Sequence, residues 1–149
     1  MKAILFLLLT ISFFSCSTGE MGVNHHQVIT ESKGFISPNQ KLEATILVEN
    51  TVESRPSSSV VRGVFRPGSI VAQHLHEESD EYLFFTKGAG ELTVGDKTYY
   101  LKDGDAVFIP KNTKHSYVNR SQQDAHFIQM YTPLGPEQRF KKWSEKSRS

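Results

Sequence analysis

Two histidines separated by one residue, His74 and His76, limit what this chain can fold into more than any other feature. If their segment is a β-strand, both side chains point to the same side of the sheet, because side chains alternate along a strand. Glu81 follows shortly after them, and a third histidine, His115, lies further on. A histidine and a carboxylate on neighbouring strands would complete a metal site around the pair.

The residues on both sides of these histidines show the sequence patterns of β-strands. Between residues 41 and 52, apolar and polar residues alternate, which is typical of a half-buried strand. Further short apolar runs follow, separated by turn sequences rich in Gly, Pro, Asn and Asp, among them the hairpin signal Gly95-Asp96. The predicted strands are 41–52, 60–65, 70–76, 81–86, 91–94, 97–101, 106–109, 115–118 and 125–131. Many short strands at this spacing predict an all-β antiparallel sandwich or barrel.

Two blocks of fixed spacing surround the histidines. The first block is Gly68, five residues, His74, one residue, His76, four residues, Glu81, six residues, Gly88. The second block is Gly104, five residues, Pro110, one residue, Asn112, two residues, His115, three residues, Asn119. The two blocks resemble the two motifs of the cupin superfamily, of the small single-domain bacterial type, over about a third of the chain. One position departs from the pattern, because Asn112 stands where the family has Gly; Asn is the residue that best tolerates positive φ, so the turn should survive.

The resemblance implies a fold and a ligand set. The fold is an antiparallel double-stranded β-helix, or jelly-roll barrel. In the family the four matching positions hold a divalent metal, which assigns that role here to His74, His76, Glu81 and His115. Three imidazoles and one carboxylate suit Fe, Mn, Ni, Cu or Zn, and the ligand set alone does not choose among them. The neighbouring acids Glu77, Glu78 and Asp80 are set aside, since Glu81 alone keeps the six-residue step to Gly88.

Strand parity also predicts which other side chains face the interior. Parity with the proposed ligands places four residues inside: Ile70, Ala72, Leu83 and Phe85. Tyr117 has the parity of His115; it either presents its hydroxyl to a ligand, as the one candidate catalytic residue, or belongs to the aromatic core. Phe108 and either Gln129 or Met130 are further candidates for the pocket lining.

The N-terminal residues predict export. Met1-Lys2 precedes an apolar run over residues 3–14, which is too short to span a bilayer and resembles a secretory signal sequence. Ser15-Cys16 at its end resembles a bacterial lipoprotein cleavage site, although Phe13 and Phe14 depart from that pattern. Cys16 is the only cysteine in the chain, so it has no disulfide partner within it. We therefore expect a lipid anchor on Cys16 and a location in the bacterial cell envelope, the alternative being an ordinary signal peptide.

This gives four predicted regions: a signal peptide over 1–16, a tether and lead-in segment over 17–40, the barrel over 41–132, and a C-terminal tail or helix over 133–149. His25-His26 lies in the tether and is interpreted as solvated. In the tail, Pro136 opens a short helix, on which Phe140 and Trp143 would pack against the barrel. The tail's basic residues, Arg139, Lys141, Lys142 and Lys146, are interpreted as a solvated face.

Composition limits the partners. The formal net charge of +1 offers no strong field for nucleic acid, and no DNA-binding region accompanies the barrel. Three functions stay open: a small metalloenzyme of the dioxygenase, isomerase, decarboxylase or lyase class acting on an oxygen-rich small molecule, a non-catalytic binding or sensing module, and a structural barrel. A homodimer is expected, with strand 41–52 adding to a partner's sheet.

Overall fold

The computed structural model describes residues 32–52 and 54–146. The predicted signal peptide, Cys16 and His25-His26 lie outside these residues. Among the residues described, no helix is both long enough and apolar enough to cross a lipid bilayer.

The described chain consists of eleven strands and one short 3-10 helix. The strands are β1 Gly34–Ile36, β2 Leu42–Val48, β3 Ser59–Phe65, β4 Ile70–His74, β5 Asp80–Lys87, β6 Gly90–Val94, β7 Lys97–Leu101, β8 Ala106–Ile109, β9 His115–Val118, β10 Ala125–Thr132 and β11 Ser144–Glu145. The 3-10 helix, Pro136–Lys142, lies between β10 and β11. A strand lies in each of the nine predicted ranges, although β2 and β4 end earlier than predicted, at Val48 and His74, and the short C-terminal helix is confirmed.

The strands form two antiparallel sheets. One sheet has seven strands in the order β11-β1-β2-β3-β10-β5-β8, and the other has four in the order β4-β9-β6-β7. Several neighbouring strands are distant in sequence, such as β3 and β10 or β4 and β9, as in a jelly roll rather than a simple meander. The predicted all-β jelly-roll fold is confirmed.

Two groups of buried side chains hold the domain together. The larger group is centred on Phe65, Phe85 and Phe127, with Phe65 stacked on Phe127 at a ring-centroid distance of 4.2 Å. The second group includes Phe35, Tyr131 and Phe140, and therefore joins the first strand and the C-terminal tail to the seven-stranded sheet. Leu83 and Phe85 are buried, as strand parity predicts.

The seven-stranded sheet extends beyond the predicted limits of 41–132. β1 lies in the segment predicted as a tether and lead-in, and it pairs with β2 on one side and with β11 of the tail on the other. Both added strands are very short, and neither shows alternation of polar and apolar residues. They are ordered by pairing with each other and with β2, which is a tertiary effect that local sequence does not report.

The strand expected at a dimer interface is partly covered within the chain. β2 is paired with β3 along one side and, over residues 43–45, with β1 along the other. That strand 41–52 adds to a partner's sheet stays a prediction, and the outer strands of this sheet are β11 and β8.

A β-bulge changes the parity of β4. On this strand Val71 pairs with Tyr117 and His74 pairs with His115, so three residue steps on β4 match two on β9. Because the extra residue shifts the alternation, Val71 rather than Ile70 shares a face with His74. Val71 packs against the core, and Ile70 is 63% exposed. The prediction that Ile70 faces the interior is therefore wrong.

Candidate metal centre

The structure brings His74, His76, Glu81 and His115 together at one place inside the barrel. One nitrogen or carboxylate oxygen from each of them lies within 4.8 Å of the corresponding atoms of the others. Glu81, His76 and His115 are buried, with exposed fractions of 2%, 8% and 4%.

The two histidines of the first motif are positioned by different parts of the chain. β4 ends at His74, so His76 does not belong to the same strand, contrary to the expectation from the His-x-His spacing. His76 is instead held in the following corner, where its carbonyl oxygen accepts a 2.8 Å hydrogen bond from the backbone N–H of Asn112. Asn112 has a φ of 60°, the conformation expected for the residue that replaces Gly in the second motif. That turn therefore fixes the position of His76.

Backbone hydrogen bonds define the tautomer of two of the imidazoles. Nδ1 of His74 lies 2.9 Å from the carbonyl oxygen of Ala72, and Nδ1 of His115 lies 2.8 Å from that of Thr113. A carbonyl oxygen only accepts, so each Nδ1 must donate and carry the hydrogen. In the neutral rings each Nε2 then has a free lone pair, which is the form that binds metals.

These two Nε2 atoms have no hydrogen-bond partner although both are buried. His115 Nε2 lies 3.1 Å from Oε2 of Glu81 but does not form a hydrogen bond with it. Buried polar atoms in folded proteins are almost always paired, so two orphaned acceptors beside a carboxylate need an explanation.

The Glu81 carboxylate is held in its ionised form. Its Oε1 accepts a hydrogen bond from the side-chain amide of Gln129, and its Oε2 lies 2.8 Å from Nε2 of His76. Burial alone would raise its pKa, but the neighbouring His115 and His76 imidazoles and the Gln129 amide outweigh it and hold the pKa far below its usual range. An anionic ligand is therefore present near neutral pH.

The pKa values of two histidines move in opposite directions. Burial lowers the pKa of His74 to about 4, with smaller contributions from His115, Arg139 and His76. Burial also acts to lower the pKa of His115, but the Glu81 carboxylate and the Thr113 carbonyl outweigh it and raise that pKa. His74 is thus neutral at pH 7, and its lone pair is available.

The donor set fits a transition metal. Ligand bonds to zinc are about 2.0–2.2 Å, so two donors on opposite sides of one ion lie roughly 4 Å apart, close to the spread of this cluster. The orphaned nitrogens and the ionised carboxylate are the groups that such an ion would satisfy. Imidazole and carboxylate donors suit several first-row metals, and the geometry does not choose among Fe, Mn, Ni, Cu and Zn.

A cavity of about 320 Å³ opens beside this cluster. Three of the four clustered residues line it: His74, Glu81 and His115. Most of the remaining walls are apolar, with Leu83, Phe127 and Trp143 among them. The size and the few convergent polar groups are typical of a small-molecule site.

Arg139 also lines the cavity, and its placement there was not predicted. It is half-buried and donates a 2.9 Å hydrogen bond to the hydroxyl of Tyr131. Its interpretation as part of a solvated basic face is therefore wrong. Phe140 and Trp143 of the same tail pack as predicted: Phe140 is buried, and Trp143 packs against its cluster.

Of the other candidate lining residues, Gln129 and Tyr117 line the cavity and Phe108 does not. Gln129 lines the cavity and contacts Glu81, whereas Phe108 is 53% exposed on the outer surface. Tyr117 is 3% exposed, and its hydroxyl donates a 3.1 Å hydrogen bond to the carbonyl oxygen of Ala89. Of its two interpretations, the contacts favour the core aromatic, with the ring stacked on Phe65 at 4.2 Å.

The neighbouring acids do not join the cluster. A carboxylate oxygen of Asp80 accepts a 2.9 Å hydrogen bond from the backbone N–H of Lys111, which ties the two turns together. Glu77 and Glu78 are exposed.

Comparison with known proteins finds a family match over part of the chain. Residues 61–131 match the family model described as "Cupin domain". Protein SchB of Streptomyces halstedii is 28% identical over 103 residues, which cover 68% of this chain and 75% of that protein. Polyketide synthase CurC of Streptomyces cyaneus is 27% identical over 104 residues, which cover 68% of this chain and 67% of that protein.

The fold comparison agrees. The crystal structure of an RmlC-like cupin from Shewanella frigidimarina superposes with a TM-score of 0.62 and 18% sequence identity, covering 76% of this chain and 95% of the other. Residues 61–131 thus match the cupin domain model, and the fold of the described chain is that of cupin structures.

Proposed function

We propose that this cupin binds a divalent transition metal through His74, His76, Glu81 and His115, and that a small oxygen-rich molecule binds beside the metal in the cavity. The observation that carries the proposal is the pair of buried, unpartnered Nε2 atoms of His74 and His115 facing an ionised carboxylate. A protein that used these histidines only for packing would leave two desolvated acceptors without compensation.

The proposed activity is that of a small metalloenzyme. His74, His76, Glu81 and His115 would hold the metal, which would supply Lewis-acid or redox chemistry to a molecule in the cavity. The chain's own contribution is to exclude water with an apolar wall and to hold the ligands in place through Gln129, Ala72 and Thr113. Dioxygenase, isomerase, decarboxylase and lyase reactions all remain within this proposal.

A binding or sensing module is the second candidate. It is favoured because both acids that line the cavity are already engaged. Glu81 accepts a hydrogen bond from Gln129, and Glu43 is ion-paired with Arg66 and Lys146, so neither is free to act as a general base. A ligand could then be held without being transformed.

The apolar walls favour a phenolic or keto-acid ligand over a sugar, since sugars need many polar partners. The similarity to a polyketide synthase protein is in keeping with this, because polyketides are rich in phenol and carbonyl groups. Both observations concern the class of ligand only.

Metal analysis of the purified protein tests the central proposal. We expect about one equivalent of metal after reconstitution, and loss of most of it in His115→Gln. His126→Gln is the matched control, since His126 lies on β10 away from the cluster. Less than a tenth of an equivalent of metal in the unaltered protein after reconstitution, or equal loss of metal in both variants, would contradict the proposal.

Turnover separates the two candidates. Oxygen consumption and product formation are measured for the metal-loaded protein with a panel of phenols and keto acids. Turnover that disappears in His76→Ala supports the enzyme. Saturable binding without turnover across the panel supports the module.

We also propose that the protein is exported and anchored to the cell envelope by a lipid on Cys16. The support is the sequence alone: the apolar run over residues 3–14 and the single cysteine directly after it. In a bacterial host, Cys16→Ala should move the protein from the membrane fraction to the soluble fraction. An unchanged distribution would contradict the anchor.

We also propose a homodimer. Because β1 covers residues 43–45 of β2, the outer edge at β8 is a second surface that a dimer could use. Sedimentation of the purified protein at several concentrations tests it, and a mass of one chain at every concentration would exclude a stable dimer.

A further inference from the structure

The C-terminal tail places a cation in the cavity wall. Arg139 belongs to the 3-10 helix that follows the last long strand, and its side chain lines the same cavity as His74 and His115. Among the described lining residues it is the only lysine or arginine.

Two aromatic rings hold the guanidinium. Its carbon lies 4.8 Å from the centroid of the Phe140 ring and 5.8 Å from that of Tyr131. Such cation–π contacts orient a guanidinium and leave its N–H groups free to bond in their own plane. Tyr131 in turn packs edge-on against His76 at a centroid distance of 5.1 Å, which joins Arg139 to the metal-ligand cluster.

The charge of Arg139 is not neutralised by the described part of the chain. Its one hydrogen bond in residues 32–52 and 54–146 goes to the Tyr131 hydroxyl, and no described carboxylate lies within ion-pair distance of it. Burial raises the pKa of Tyr131 well above its usual range, so that partner is a neutral phenol. A guanidinium has five N–H donors, so most of its capacity is unused.

The nearby acids are already engaged. Glu137 accepts hydrogen bonds from Ser59, Gly135 and Gln138. Glu43 is ion-paired with two other basic residues. An anion for Arg139 must therefore come from outside the described chain.

The surroundings select the kind of anion. A phosphate carries about two charges and needs several cationic or backbone donors, whereas this wall offers one guanidinium and two acidic residues, Glu43 and Glu81. A single carboxylate matches one guanidinium, because the two groups form paired hydrogen bonds. The remaining walls are mainly apolar, which suits a hydrocarbon or aromatic body.

We propose that the cavity binds a small carboxylic acid with an apolar body, and that Arg139 pairs with its carboxylate. The acid contacts Leu83, Phe127 and Trp143 with its apolar part. With about 30 Å³ per water-sized group, the cavity of about 320 Å³ has room for roughly ten such groups, the size of a simple aromatic acid. This inference rests on the proposed function, because it requires that the cavity be a ligand site, and it adds the class of ligand. It does not require the metal.

The test compares acids with their neutral amides. Binding of benzoate and benzamide, phenylacetate and phenylacetamide, and phenylpropionate and its amide is measured by calorimetry. In the unaltered protein at least one acid should bind about tenfold or more tightly than its own amide, the size of effect expected for a charge-assisted pair. Arg139→Gln should reduce that ratio to about one while leaving the amide's affinity within about twofold, and Arg139→Lys should retain part of the ratio.

Lys142→Gln is the matched control, since it removes the same charge from an exposed position on the same helix. It should leave the ratio unchanged. The proposal is overturned if no acid is preferred over its amide, if the ratio persists in Arg139→Gln, if Lys142→Gln abolishes it equally, or if Arg139→Gln weakens acid and amide to the same degree. The last outcome would mean that Arg139 only shapes the cavity.

The same samples are analysed for metal, which separates this inference from the metal proposal. Acid preference that depends on Arg139 in a protein that takes up no metal on reconstitution supports the carboxylate site and contradicts the metal centre. Bound metal without acid preference supports the metal centre and contradicts the carboxylate site.

Discussion

Gln129 on β10 donates its side-chain amide to Oε1 of Glu81 on β5, so the carboxylate is held by a neighbouring strand while Oε2 faces His76 and His115. Gln129 is itself buried, at 4% exposure. The cluster therefore depends on a residue that belongs to neither motif block.

Replacing Gln129 should weaken metal binding without removing a ligand. In Gln129→Leu the Glu81 carboxylate loses its orienting partner, and loss of such a partner typically costs about 10–100-fold in metal affinity. Competition with a chromophoric chelator measures the change. Gln122→Leu, at an exposed loop position, is the control and should leave the affinity unchanged. Equal affinity in Gln129→Leu and the unaltered protein would contradict the orienting role.

Tyr117→Phe should affect stability but not the site. The hydroxyl donates to the Ala89 carbonyl oxygen, and its loss should lower the free energy of unfolding by about 1 kcal/mol. Urea unfolding measures this, and metal affinity and ligand binding serve as parallel readouts. A drop in ligand affinity or turnover with unchanged stability would instead support the hydroxyl as a ligand-binding or catalytic group.

The metal-free protein should lose stability as the pH falls from 6.5 to 5. Burial lowers the pKa of His74 from 6.5 to about 4, so in this window the unfolded chain binds a proton that the folded chain does not. Stability then rises with pH, by at most about 1.4 kcal/mol per pH unit for one proton. His115 does not oppose this, since its pKa is raised in the fold and its contribution to stability is lost only as the pH rises above 6.5.

Urea unfolding of chelator-treated protein measures that slope. His74→Asn should flatten it, and His126→Asn should leave it unchanged. A slope of the same size in His74→Asn would show that another group is responsible.

Replacement of Asn112 by glycine should be tolerated better than replacement by alanine. Its φ of 60° is close to the left-handed region, where a residue with a β-carbon costs about 1–2 kcal/mol relative to glycine, less for Asn. Asn112→Ala should therefore destabilise the protein by about 1 kcal/mol, whereas Asn112→Gly should be neutral or stabilising.

Unfolding free energies of these two variants are compared with that of Asn50→Ala, an exposed residue without positive φ. Because the Asn112 N–H holds the His76 carbonyl, Asn112→Pro should also weaken metal binding. Equal stability of Asn112→Ala and Asn112→Gly would contradict the conformational argument.

Much of the site was predictable because its residues are tied to turns of fixed length. The glycines, Pro110 and Asn112 mark the turns, and the spacing between them places His74, Glu81 and His115 on particular strands. The nine longer strands were predictable for a similar reason, since each carries alternation or ends at a turn residue.

The bulge in β4 was not predictable from these patterns. Ile70, Val71 and Ala72 are all apolar, so an added residue leaves no break in the polar and apolar alternation. Pairing with β9 decides which of them faces inward, and pairing is a property of the folded sheet.

Arg139 was missed for a different reason. It is one of several basic residues in the tail, and nothing in their order distinguishes it from Lys142. Its position depends on where the 3-10 helix packs, which is decided by the contact of Phe140 with the second core group.

The cavity has walls of two origins: the jelly-roll strands carry the metal-ligand cluster, while the tail contributes Arg139, Phe140 and Trp143. The tail residues lie outside the β-ladders that hold His74, Glu81 and His115. The tail can therefore be exchanged to change which molecules the cavity accepts, while the residues of the four-residue cluster stay the same.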